Sequence, residues 1–110
     1  MKPSVISGTY RGCGLSARQH IFRKRGDVHN GHYHVKDHVT FVCAGAVLAC
    51  IEGHEPVEVR APAFIEIKAD KRHGFTALED GTIYYCVFAG DDPGDSAACG
   101  ACGICPAKAD

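Results

Sequence analysis

Short apolar runs cut by turn residues set the strongest limit on how this chain folds. From His38 to Ala89 the runs HVTFVCAG, AVLACIE, EPVEVRA, AFIEIKA, HGFTALE and TIYYCVFA follow one another, at a spacing of about ten residues. A small-residue turn at Gly45 and a DG turn at Asp80–Gly81 separate neighbours in this series. EPVEVRA alternates cleanly, AFIEIKA is partly apolar on both faces, and HIFRKR (His20 to Arg25) alternates briefly. No segment repeats apolar residues at three and four over several turns, so a helix would have no continuous face to bury. Strands in this rhythm predict an all-β sandwich or barrel.

With 110 residues the chain has the size of one domain. A domain of that length buries roughly two-thirds of its unfolded surface, so a core forms without help from disulfides. A formal net charge of -1 gives composition no pull toward nucleic acid or membrane. RKR (Arg23 to Arg25) is a short basic stretch without interleaved aromatics, poor material for a nucleic-acid surface. The N-terminal MKPSVISGTYRGCG holds no signal-peptide core, and no stretch reaches the roughly 20 apolar residues that span a bilayer. The expectation is a cytoplasmic protein whose seven cysteines are mostly thiols or metal ligands. After Ala89, GDDPGDSAACGACGICPAKAD is small, acidic and rich in Gly, Ala and Cys, without side chains large enough for a core. A boundary near Gly90 is expected, with a body over 1–90 and a tail over 91–110.

GHYHVKDH, from Gly31 to His38, gathers three histidines. On a strand His32 and His34 share a face, with Tyr33 opposite. His38 returns to that face if the chain turns or bulges between Val35 and Asp37. Neutral imidazole is a ligand for Zn, Fe, Ni, Cu and Mn, and His73, following the turn ADKR, is the candidate that closes the set. The alternative is a polar strand end bearing surface imidazoles.

The spacing resembles the first motif of the cupin superfamily, G-x5-H-x-H-x3-E-x6-G. Gly26, His32, His34, His38 and Gly45 stand in that register, with His38 where the family has Glu. The second motif, G-x5-P-x-G-x2-H-x3-N, keeps its histidine at His73, while Pro62, Lys68, Asp70 and Ala77 replace its other residues. The resemblance spans roughly Arg18 to Ala89 and implies a small jelly-roll barrel (a double-stranded β-helix) with one divalent metal, Fe, Mn, Ni or Zn. His32, His34 and His73 carry over as ligands, and His38 takes the place of the acidic one. Four neutral histidines leave a divalent ion at about +2, against about +1 with a carboxylate, which favours an anionic substrate. Lys71 and Arg72 can add positive field at the rim. His20, His29 and His54 match no ligand position and are expected at the surface. Asp37 is an exposed turn carboxylate or an orienting partner for an imidazole. The barrel interior is expected to present Thr40, Val42, Phe75 and Cys86 to a pocket.

Cys99, Cys102 and Cys105 form C-x2-C-x2-C before Pro106, similar to part of a ferredoxin cluster-binding run. Three thiolates do not close a zinc or iron–sulfur site, and Cys13 or a neighbouring subunit is the candidate fourth. Cys43, Cys50 and Cys86 lie in strands, where free cysteines act as small core residues. Two functions follow. One is a metal-dependent enzyme acting on a small anionic molecule, with dioxygenation typical of cupins and isomerase or lyase chemistry as alternatives. The other is a non-catalytic metal- or ligand-sensing cupin whose Cys-rich tail is a second metal or redox element. Cupins commonly pair through their sheets, so a homodimer is expected, with HIFRKR as the pairing edge.

Overall fold

The computed structural model describes residues 5–94 and 96–99, with side chains throughout except at 5, 6, 30–32 and 96–99. Ten strands make up the regular structure of the described residues: β1 (Val5–Gly12), β2 (Leu15–Phe22), β3 (Val28–Tyr33), β4 (His38–Ala44), β5 (Ala46–Ile51), β6 (Val57–Arg60), β7 (Ala63–Ile67), β8 (His73–Ala77), β9 (Thr82–Ala89) and β10 (Ser96–Cys99). They form two antiparallel five-stranded sheets, ordered β1-β2-β9-β4-β7 and β10-β3-β8-β5-β6. The all-β expectation holds, and β4, β5 and β7 to β9 begin where the apolar runs begin. No helix among the described residues is long and apolar enough to cross a membrane.

Alternation sorts the first sheet into layers. Residues 16, 18, 20 and 22 of β2 are buried, as are 82, 84, 86 and 88 of β9 and 38, 40 and 42 of β4. Register then aligns Arg18 with Cys86 and Thr40, and His20 with Tyr84 and Val42. Opposite them, Val47, Ala49, Phe75 and Ala77 of the second sheet complete a core with Phe22, Val42, Ile67, Tyr84 and Phe88. Gly45 is the whole connection between β4 and β5. Its φ of 75° is in the left-handed region, and a Cβ there would lie 2.9 Å from the Thr82 Cα.

Three sequence expectations change. HIFRKR is not a sheet edge: His20 to Phe22 belong to β2, which lies between β1 and β9. β1 occupies that edge because residues 5–12 pair along the whole of β2 around the Cys13–Gly14 turn. The fold also runs past Gly90, because polar backbone groups there find partners on the body and β10 adds a strand beside β3. Lastly, Cys50 is not a free core thiol but is disulfide-bonded. Cys13 and Cys43 are free. Cys99 lies in β10, while Cys102 and Cys105 fall outside the described residues, as does the tail metal site expected of them.

Candidate metal centre

The centre is assembled at one end of the two sheets by a break in alternation. Register sets His29 of β3 opposite Phe75 and His32 opposite His73, so three steps on β3 match two on β8. One extra residue of this kind is a β-bulge, and it inverts the side-chain parity downstream. His29 is therefore inward before the bulge, packing on Tyr84 and Phe75, and His34 is inward after it, packing on Phe88. Without the bulge an odd and an even position on one strand would face opposite ways. Gly31 is the sequence signal for it, since a glycine inside a strand often marks a bulge.

His34, His38 and His73 are 2%, 5% and 0% exposed. Each offers a ring nitrogen within 4.8 Å of the others, and their ring centroids are 5.0 to 5.3 Å apart. Phe88 forms the wall behind them. It stacks on His38 at 4.6 Å and meets His34 edge-on at 5.0 Å. The His38 Nε2 lies 3.4 Å from the Thr40 hydroxyl, which in turn lies 3.7 Å from the Cys86 sulfur.

Two of the imidazoles have their proton position fixed by the backbone. His34 Nδ1 is 2.8 Å from the Gly94 carbonyl oxygen, and His73 Nδ1 is 2.9 Å from that of Lys71. A carbonyl only accepts, so each Nδ1 carries the hydrogen and each neutral ring keeps its lone pair on Nε2. Such outer hydrogen bonds are what orient metal-ligating histidines. The donor set fits a divalent transition ion, since neutral imidazole suits Zn, Fe, Cu and Ni.

The segment after β9 crosses this end as a strap. The Ser16 hydroxyl donates to Gly90 O at 2.6 Å, and Lys36 Nζ donates to the Ala89 and Asp91 carbonyls at 2.9 and 2.7 Å. Arg18, buried in β2 with its guanidinium 5.5 Å from the Phe88 ring centre, grips Asp92 through Nε and a terminal nitrogen at 2.6 Å each. Asp92 also accepts the Gly94 amide at 2.8 Å. The Arg18 guanidinium holds the Asp92 carboxyl down at about 2; the Gly94 amide lowers it too, and burial opposes them.

Of the expected ligands, His34, His38 and His73 converge. The backbone of His32 lies opposite His73, and its side chain falls outside those described. Thr40, Val42, Phe75 and Cys86 are all inward and buried. Thr40 is next to His38 and Cys86 is next to Thr40, whereas Val42 and Phe75 are packed in the core. Asp37 is an exposed turn carboxylate that accepts the Ala69 amide at 2.6 Å, tying the loop before β4 to the one after β7. Lys71 is exposed, and Arg72 lies over the Tyr33 ring at 5.7 Å. Cys13 is exposed, 3.4 Å from the Tyr10 hydroxyl.

Sequence reasoning missed the role of His20 and His29. Neither is a surface residue of the bland kind. His20 is fully buried between rings, 4.5 Å from His29 and 4.6 Å from Tyr84, and His29 Nδ1 shares a hydrogen bond with the Tyr84 hydroxyl. The buried parity of β2 was the available signal for His20, because Phe22 two residues on is an obvious core residue.

No family model and no curated protein matches the sequence. Solved structures do match the fold. KdgF from Halomonas sp. is 24% identical, with a TM-score of 0.67 over 81% of this chain and 80% of that one. An uncharacterised protein with a double-stranded β-helix domain from Klebsiella pneumoniae is 16% identical, with a TM-score of 0.74 over 87% and 84%. An RmlC-like cupin family protein from Methanocaldococcus jannaschii is 13% identical, with a TM-score of 0.68 over 82% and 83%.

Proposed function

Starting from a chain with the cupin fold and three convergent buried histidines, we propose that it is a mononuclear metal-binding cupin acting on a small anionic molecule. His34, His38 and His73 are the ligands, and His32, opposite His73 in register, is the fourth. Dioxygenation is the leading chemistry. The observation that carries the reading is the convergence of three buried ring nitrogens, two of them on imidazoles whose Nδ1 hydrogens are committed to backbone carbonyls.

The bound ion would supply a Lewis acid with open coordination positions. The chain's own residues do the rest. The Gly94 and Lys71 carbonyls hold His34 and His73 in the ligating tautomer. Phe88 closes one side against water. His38 in place of a carboxylate leaves the donor set uncharged, so the centre keeps about +2 and attracts an anion. Lys71, next but one to His73, adds to that field.

The test is oxygen uptake by the iron-loaded protein against a panel of small thiols, enols and carboxylates. The proposal expects turnover with at least one member and none with a His34→Ala/His73→Ala variant. Full metal occupancy with no oxygen consumption and no other conversion of the panel would overturn the enzymatic reading and leave a metal-binding module.

A further inference from the structure

The strap after β9 ends in a continuous hydrogen-bonded chain that reaches a ligand. Arg18 grips both carboxylate oxygens of Asp92, Asp92 accepts the Gly94 amide, and the Gly94 carbonyl accepts the His34 Nδ1 hydrogen. Every link lies between 2.6 and 2.8 Å. The chain starts on β2, in the first sheet, and ends just past β3, in the second, so it also ties the two sheets together beside the centre. We propose that Asp92 and Arg18 are positioning residues of the metal centre, which fix the place of the Gly94 carbonyl and through it the tautomer and orientation of His34. The proposal rests on the metal-binding reading for its purpose, but not for its geometry.

The clamp removes freedom from the Gly94 carbonyl. Gly94 has a φ of 76°, and residues 91–94 belong to no strand. A carbonyl on such backbone holds an imidazole only if something holds the carbonyl. Asp92 does so by clamping the amide of the same residue, and Arg18 does so by clamping Asp92. The pair is two-pronged, which fixes the carboxylate plane as well as its distance. Because the Asp92 carboxyl is held at about 2, the clamp stays charged over the whole working pH range of a protein. Losing an outer-shell partner of a metal-ligating histidine typically lowers metal affinity 10- to 100-fold.

His73 provides an internal control, since its Nδ1 partner is Lys71, which takes no part in the chain from Arg18. The experiment reads the tautomers of His34 and His73 by nitrogen-15 NMR in metal-free protein, and cobalt(II) affinity by titration, in wild type, Asp92→Ala, Asp92→Asn and Arg18→Lys. In wild type both rings are expected with hydrogen on Nδ1. In Asp92→Ala, His34 alone should lose that fixed state, with cobalt affinity falling about 10- to 100-fold. Asp92→Asn, which keeps an oxygen for the Gly94 amide, should recover most of the loss, and Arg18→Lys should fall between. The proposal is overturned if His34 keeps its tautomer in Asp92→Ala, or if His34 and His73 change together. If Asp92→Ala does not fold, Asp92→Asn and Arg18→Lys carry the same test. Absence of cobalt binding in wild type would count against the metal reading alone, and the tautomer measurement would still decide this one.

Discussion

At the scale of single residues, the two glycines of the cupin-like motif have different physical duties. Gly45 has a positive φ, and a Cβ would press on the backbone of Thr82, whose hydroxyl is held between Ala46 and Glu79. Gly26 also has a positive φ, 92°, but faces open space. Gly26→Ala should therefore cost only backbone strain, about 1–2 kcal/mol. Gly45→Ala should cost that plus an overpacking penalty of about 1–3 kcal/mol. Urea denaturation of the two variants reads the difference directly; equal losses would mean that the close approach at Thr82 relaxes freely. The convergence of His34, His38 and His73 was legible from motif spacing, which is what a sequence displays. His29 was not legible, because motif spacing does not tell a buried, ring-stacked histidine from a solvated one, and for His20 the only signal was its parity with Phe22.

At the scale of elements, strand identity was written in the apolar runs, but parity was not. β9 is bounded by the limits of TIYYCVFA, while the bulge in β3 that turns His34 inward was foreshadowed only by Gly31. A turn or bulge between Val35 and Asp37 was expected to bring His38 back, and the chain bends there before β4. The bulge between His29 and His32 is a second irregularity. This placement has a consequence. Deleting Asn30 should restore simple alternation on β3, send His34 outward and abolish metal binding while leaving the sheet signal of the protein intact. Metal titration with circular dichroism on the deletion variant checks this; undiminished metal binding would show that the bulge is not what aims His34. The strap over 90–94 was also hidden. Its acidic, glycine-rich composition looks solvated, and only the buried Arg18 on a distant strand makes Asp92 a partner.

At the scale of the whole molecule, the centre exists because two sheets meet. His38 comes from the first sheet and His73 from the second, and His34 stands at the end of β3 with its partner on the strap. A bound ion would therefore link the sheets, and any ligand selective for the folded state adds stability, about 2.7 kcal/mol at a hundred times its dissociation constant. Cys50 is in a disulfide, an exception to the expectation that the cysteines are mostly thiols or metal ligands. The measurement that tests the account most directly is the metal content of protein made without a histidine tag, comparing wild type with His34→Ala/His73→Ala. The account predicts close to one divalent ion per chain in wild type and none in the variant, with the sheet structure preserved in both. No metal in wild type under any loading condition, or metal retained by the variant, would contradict it.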